Sequence, residues 1–257
     1  MRQLVFILVI GILTSSCLEE NNIPSIGNRL LAIYVEDMIF LEYEYDRDGS
    51  LIADKGKIHY FKYLYDKNNG RFSKEVYFDS RIFSSNSNVL QESIDRTEWV
   101  NPQNTALTGT LVYEFDSKKR LIKSIELKGY SEYEYNNNGR ISARKMFHDG
   151  RLSGIREYEY DQNGNVIKDS HFLISENASK TLSNTTQFEY DDMKNPYQFL
   201  RPEPIPGENT NPNNVTRAKY TVKNTPEAAS DIQYTYLYND LGWPIERNDG
   251  LRYKYSN

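Results

Sequence analysis

The chain has a single cysteine among 257 residues, Cys17, so no disulfide can close within it and the fold must rest on its own core and ladders. Histidine is nearly as scarce. His59, His148 and His171 lie far apart, without the close ligand pairs, such as H-x3-H, that zinc wants. No G-x-S-x-G, phosphate-binding loop or G-x-G-x-x-G occurs, which removes the common nucleophile and nucleotide signatures. After residue 16 no apolar run is long enough for a membrane helix, and Leu, Ile, Val and Met are sparse. Neither sign of charge dominates: 31 Lys+Arg stand against 36 Asp+Glu, a formal net charge of -5. Without a basic stripe to neutralise phosphates, nucleic acid is excluded as a partner.

What the chain has instead is tyrosine, 21 residues of it. The aromatic has an apolar body and a polar tip, so a core built from it is thin, with hydroxyls reaching the sheet margins. The tyrosines recur in one unit, clearest at Tyr158-Glu159-Tyr160-Asp161-Gln162-Asn163-Gly164-Asn165-Val166-Ile167. In a strand, alternate side chains share a face, which puts Tyr158 and Tyr160 on the face to be buried and Glu157 and Glu159 on the wet one. Asp161 suits the opening of a turn, because its carboxylate accepts from backbone N–H groups two residues on. Gly164 takes positive φ without a steric penalty. A type I turn followed by a left-handed glycine is the common three-residue hairpin loop with a bulge, and Val166 and Ile167 start the return strand.

Related copies start at Tyr43, Tyr63, Tyr113, Tyr133, Phe188 and Tyr236, with a truncated one at Tyr253; in the copy at Tyr113, Lys119-Arg120 stand where the glycine usually does. Fourteen of the 21 tyrosines occupy the two aromatic slots of these eight copies. A repeat near twenty residues fits one hairpin of two strands. Leu30 to Phe40 reads as a first strand, Ser84 to Ser93 as a long loop, and Thr97 to Val100, with Trp99, as a strand that has lost its motif. Five of the nine prolines fall between Pro196 and Pro212. Because proline cannot feed a central ladder, residues 201–215 read as a Pro/Asn-rich surface excursion. The expected fold is all-β: an antiparallel meander of repeated hairpins, curled or closed into a barrel-like sheet, with a spiral of hairpins as the alternative.

The head stands apart from the repeats. Arg2 precedes the ten-residue apolar run Leu4 to Leu13, too short to span a bilayer and suited to the h-region of a secretory signal. Thr14-Ser15-Ser16 and Cys17 then resemble the lipobox of bacterial lipoproteins, in which the cysteine becomes the acylated first residue. Thr14 stands where Leu is usual in that pattern. Leu18-Glu19-Glu20-Asn21-Asn22 resembles the acidic export tags of surface-exposed Bacteroidetes lipoproteins. The organisation expected is a signal peptide at 1–16, a lipid-anchored tether at 17–29 and one β-repeat domain at 30–257.

The motif [YF]-x-[YF]-[DN]-x-x-G-x-[LIV] resembles the YD repeats of the Rhs and teneurin families, which build large β-spiral shells. The chain is similar too to a group of Bacteroidetes lipoproteins that pair a lipobox Cys with such repeats, including the family called domain of unknown function 4595. The matching residues are Phe188-Glu189-Tyr190-Asp191-Asp192-Met193-Lys194-Asn195-Pro196-Tyr197 and a last repeat ending Leu241-Gly242-Trp243-Pro244-Ile245. That resemblance implies a porin-like β fold and an outer-membrane, cell-surface address. It implies no activity.

Candidate chemistry is thin. Glu42/Glu44, Glu132/Glu134 and Glu157/Glu159 are carboxylates paired along strands, as in glycosidases. Their repetition makes them a solvated face, because an active site is a unique constellation. Asp46-Arg47-Asp48-Gly49 has the look of a calcium loop but is explained by turn chemistry. Trp99 and Trp243 read as core aromatics before sugar platforms. A membrane-spanning barrel is disfavoured because Lys145 is expected on the face of Ile141 and Phe147, where lipid would penalise it. The sequence thus points to a lipid-anchored envelope protein, no enzyme, without catalytic residues, metal or cofactor. Its expected partners are the membrane, through Cys17, and a protein or glycan. The alternatives are a pore-like outer-membrane component and, last, a hydrolase. Metabolic labelling with a palmitate analogue is expected to mark the wild type and to fail on Cys17→Ala; equal label in both rules the anchor out.

Overall fold

The computed structural model describes residues 29–66, 71–78, 98–198, 200–207 and 209–256. Seventeen strands form one antiparallel sheet. They are β1 (Leu30–Val35), β2 (Met38–Tyr45), β3 (Leu51–Gly56), β4 (His59–Asp66), β5 (Arg71–Phe78), β6 (Gly109–Phe115), β7 (Leu121–Glu126), β8 (Gly129–Tyr135) and β9 (Ile141–His148). Then follow β10 (Arg151–Tyr160), β11 (Val166–Ile174), β12 (Lys180–Lys194), β13 (Asn213–Val222), β14 (Ser230–Gln233), β15 (Tyr236–Tyr238), β16 (Pro244–Arg247) and β17 (Leu251–Tyr255). Among the described residues helix is limited to one 3-10 turn, Pro226–Ala228.

The strands meander, each laddered to the next from β1 through β14, and again from β15 to β17. The sheet curls until β17 pairs with β1. It is not sealed by an unbroken ring of ladders. β14 and β15 are two lengths of one extended stretch: the first pairs with β13 and the second with β16, and the regular register lapses at Tyr234 and Thr235, where the Tyr234 amide still bonds the Thr216 carbonyl at 2.8 Å and the Asn248 amide the Thr235 carbonyl at 3.0 Å. The curled meander matches the fold expected from the repeat, and the spiral alternative does not.

The turns follow the motif. In the copy at Tyr158, the Gly164 and Asn165 amides donate to Asp161 Oδ1 at 2.7 and 2.8 Å. Asp46, Asp116, Asn136 and Asn239 accept backbone amides in the same way. Gly49, Gly139, Gly164 and Gly242 carry positive φ. Lys119 holds the same place with φ 61, so the turn whose sequence departs from the motif keeps its conformation. Six pairings bulge just before the second aromatic slot.

The bulges correct one expectation. A bulge shifts side-chain parity by one residue, so Lys145 stands opposite Glu132, on the outer face, while Ile141 turns inward with Tyr135. Lys145 pairs there with Glu134. Two further corrections are local. Leu30 to Phe40 folds back on itself at Glu36 and Asp37, both with positive φ, so the expected first strand is a β1–β2 hairpin. Residues 98–100 form no strand, although the Val100 amide bonds to the Gly56 carbonyl. The Ser84 to Ser93 loop lies outside the described residues.

The two aromatic slots do different work. First-slot Tyr43, Tyr63, Tyr113, Tyr133, Tyr158 and Tyr253 are buried in two clusters, one around Leu30, Ile33 and Leu51 and one around Leu121, Ile141 and Val166. Second-slot tyrosines are partly buried, or exposed at Tyr65, and reach back one repeat, except Tyr238, which donates to the Asp191 carboxylate. Tyr65 donates to the Leu51 carbonyl at 2.8 Å, Tyr135 to Leu121 at 2.8 Å, Tyr160 to Ile141 at 2.6 Å, Tyr190 to Val166 at 2.6 Å and Tyr255 to Pro244 at 2.7 Å. Each acceptor is the residue that begins the previous return strand. Tyr45 makes the equivalent bond to Leu30. Burial pushes the Tyr135 hydroxyl up to about 12 and the others higher, so they stay protonated donors.

Removing one such hydroxyl leaves a carbonyl at a bulge without its donor. Tyr160→Phe is expected to lower stability by about 1–2 kcal/mol in urea unfolding. Lys119→Gly, which relieves a left-handed L-residue, is expected to raise it by about 0.5–1 kcal/mol. No change in either midpoint contradicts the assignment.

Candidate functional site

The segment between β12 and β13 does not run over the surface. Leu200 packs among Leu30, Ile33, Tyr43 and Tyr253, and Ile205 packs against the cluster around Tyr113 and Leu121. Glu203, Asn211 and Asn214 are buried. The expected surface excursion at 201–215 is therefore a plug inside the curl. Loops avoid interiors because their backbone groups go unsatisfied there; here asparagines supply the partners. Asn195 Nδ2 donates to the Asn211 carbonyl and Asn211 Oδ1 accepts from the Val166 amide. Asn165 and Asn213 bond each other twice, and Asn209 Nδ2 caps the Glu203 carbonyl at 2.8 Å.

Two ionic pins fix the plug to the wall. Arg201 reaches Asp54 Oδ2 at 2.6 Å, and His59 Nε2 lies 3.1 Å from Asp54 Oδ1. Asp54 is fully buried. Burial alone raises its pKa, but the His59 hydrogen bond and the Arg201 charge outweigh it and hold the carboxyl below the usual carboxylate range. Lys74 Nζ pairs with Glu203 at 2.8 Å, both side chains largely buried.

Between plug and wall lies a cavity of about 240 Å³. Tyr158, Phe188, Tyr234 and Tyr236 give it aromatic walls, and Asp169 and Arg247 are its charged members. It sits behind the lapse in the ladder at Tyr234–Thr235. The Arg247 guanidinium lies 4.4 Å from the Tyr234 ring centroid and is paired to Asp249 at 2.7 Å. Asp169 Oδ2 takes Arg156, while its Oδ1 is buried without a donor.

The residues singled out from sequence fall elsewhere. Cys17 lies outside the described residues. The strand-paired carboxylates are outside the curl, each set facing lysine: Glu42 and Glu44 face Lys55, Glu134 faces Lys145, Glu159 faces Lys168 at 2.7 Å and Glu157 faces Lys180 at 2.5 Å. His59 opens β4 on an outgoing strand, not a return strand, and serves Asp54. His171 Nδ1 is 3.3 Å from Asn184 Nδ2, and His148 is exposed beside Asp149. Trp243 is partly buried against Tyr255. Asp169, Arg201 and Glu203 were not visible as functional positions in the sequence. The only signal for the last two was the break in the repeat.

No protein-family model matches the chain and no curated protein matches it. Solved structures similar to it include a porin-like protein from Bacteroides vulgatus, with 11% identity, TM-score 0.46 and coverage of 89% of this chain and 99% of that one. Another porin-like protein, from Bacteroides uniformis, has 11% identity, TM-score 0.40 and coverage of 84% and 90%. TcdB2-TccC3 is similar at 15% identity and TM-score 0.33 over 78% of this chain and 10% of that one. Likeness at this level carries no function across.

The plug pins are testable by pH. Asp54 is held below its ordinary 3.8, so its contribution is present above that value and lost as pH falls through the depressed folded value. Arg201→Ala is expected to cost about 2–3 kcal/mol at pH 7 by leaving a buried carboxylate short of charge. In urea titrations the gap to wild type is expected to narrow below pH 3.8; a gap constant with pH contradicts the pin.

Proposed function

We propose that the chain is a lipid-anchored, non-enzymatic binding module of the bacterial outer membrane, holding its ligand in the cavity between plug and wall. The address rests on the apolar run Leu4 to Leu13 followed by Cys17. The binding role rests on one observation, the folding of the proline-rich segment into the curl. That segment packs Leu200 and Ile205 against the two inner clusters and borders an aromatic-lined cavity of about 240 Å³.

The other two readings find less support. A lipid-facing barrel needs an apolar outer band about 25 Å tall, whereas the outer face carries pairs such as Lys168–Glu159 and Arg217–Asp231. A glycosidase needs one pair of carboxylates whose environments push their pKa values apart, whereas the strand-paired glutamates recur on the outer face in like surroundings, each set paired with lysine.

Carbonate extraction and liposome conductance separate the readings. Wild type is expected to stay with membranes and Cys17→Ala to be released, with no conductance from either. Conductance, or Cys17→Ala resisting extraction, favours a pore. Turnover of a glycoside or peptide library that one carboxylate change abolishes favours a hydrolase.

A further inference from the structure

We infer that the cavity behind the β14–β15 lapse takes a neutral, polyhydroxylated ring of monosaccharide size, with Asp169 as its hydrogen-bond acceptor. The inference rests on the binding-module reading and adds the ligand's chemistry to it. Asp169 stands opposite Tyr158 in the β10–β11 ladder, so both point inward. Its side chain is 16% exposed. One oxygen is held by Arg156, and the other, Oδ1, is buried without any donor. Buried acceptors are normally satisfied, and of the buried polar atoms without a partner among the described residues only this one belongs to a residue lining the cavity, where an N–H or O–H from a ligand would complete it.

The charges around it select among donors. Arg156 already offsets the Asp169 carboxylate, and Arg247 adds a second guanidinium to the lining, itself offset by Asp249. The wall thus offers a cation no net negative charge. An anion would meet Asp169 Oδ1 itself. A neutral hydroxyl fits both conditions.

The aromatic lining sets the rest. Tyr158, Phe188, Tyr234 and Tyr236 present flat apolar surface, which suits the C–H face of a ring. Plug residues Pro206, Gly207 and Asn211 bound the cavity opposite the sheet wall, which favours a compact single ring over an extended chain. Tyr234 and Arg247, stacked on each other at the lapse, are partly exposed and are the solvent-side members of the lining.

The test is isothermal titration calorimetry on the full chain, in a detergent without a sugar headgroup. The probes are glucose, galactose and N-acetylglucosamine, against choline and glucuronate. At least one neutral sugar is expected to bind, and Asp169→Asn to weaken it tenfold or more. With its oxygen turned to Arg156, the new amide offers the cavity a donor where an acceptor stood. Tyr234→Ala, on the solvent side of the lining and clear of the Asp169–Arg156 pair, is expected to weaken it by a similar factor with an unchanged unfolding midpoint. That variant keeps the test decisive if Asp169→Asn fails to fold. Binding of choline or glucuronate in place of every neutral sugar overturns the ligand class and leaves the binding-module reading intact. No heat from any probe, or sugar binding indifferent to both variants, overturns the inference. Conductance or turnover in the earlier experiments overturns the underlying reading instead.

Discussion

The structure depends on one recurring hydrogen bond: a second-slot tyrosine hydroxyl donating to the carbonyl that begins the previous return strand. That carbonyl belongs to the ladder partner of the previous copy's second-slot residue, directly beside the bulge, where the regular hydrogen bonding is disrupted. The next repeat supplies the donor. The bond therefore does two things, satisfying an acceptor that the turn geometry creates and tying each hairpin to its predecessor. Phe115 is the one second-slot residue without a hydroxyl. It packs on Phe72 instead, with ring centroids 5.6 Å apart.

A wall stapled by tyrosine has a thin core. Its first-slot rings meet in two clusters rather than one continuous layer, and a curl of seventeen strands encloses more space than those rings fill. The proline-rich segment occupies part of the remainder. Prolines are an advantage there, since each removes an N–H that would otherwise need a partner. The asparagines and the pins at Asp54 and Lys74 satisfy much of what is left, while Arg201 Nε and Glu203 Oε2 stay buried without a partner. Outside, the glutamate between the two aromatics meets a lysine from the return strand, pair after pair. Each such exposed pair contributes little, but together they make the outer face a screened, wet one.

Much of this was legible in the sequence, and the losses have identifiable causes. The hairpins, turn residues and buried tyrosines followed from alternation and from Asp-x-x-Gly chemistry, and even Lys119 kept the turn. The parity of Ile141 and Lys145 was misread because a bulge adds a residue that a simple alternation does not count. The Glu36–Asp37 turn was missed because neither residue is Gly or Asn, the usual signals for positive φ. The cavity itself was not legible, although the break in the repeat at 201–215 marks the stretch that supplies part of its lining. Asp169 lies in Val166–Ile174 as one more polar strand residue, and nothing local marks it as lacking a donor.

The sequence by itself determined the hairpin, because every interaction that forms one acts within about twenty residues and repeats often enough to be seen. It determined the all-β class for the same reason. A curled or closed sheet was also expected from the number of hairpins, but the tertiary structure alone decided which strands meet, β17 on β1. It alone decided as well that the proline-rich segment lies inside. Arg201 finds Asp54 across 147 residues and Lys74 finds Glu203 across 129. The partner of such a group is set by the closing of the whole sheet, and no local pattern of residues carries that information.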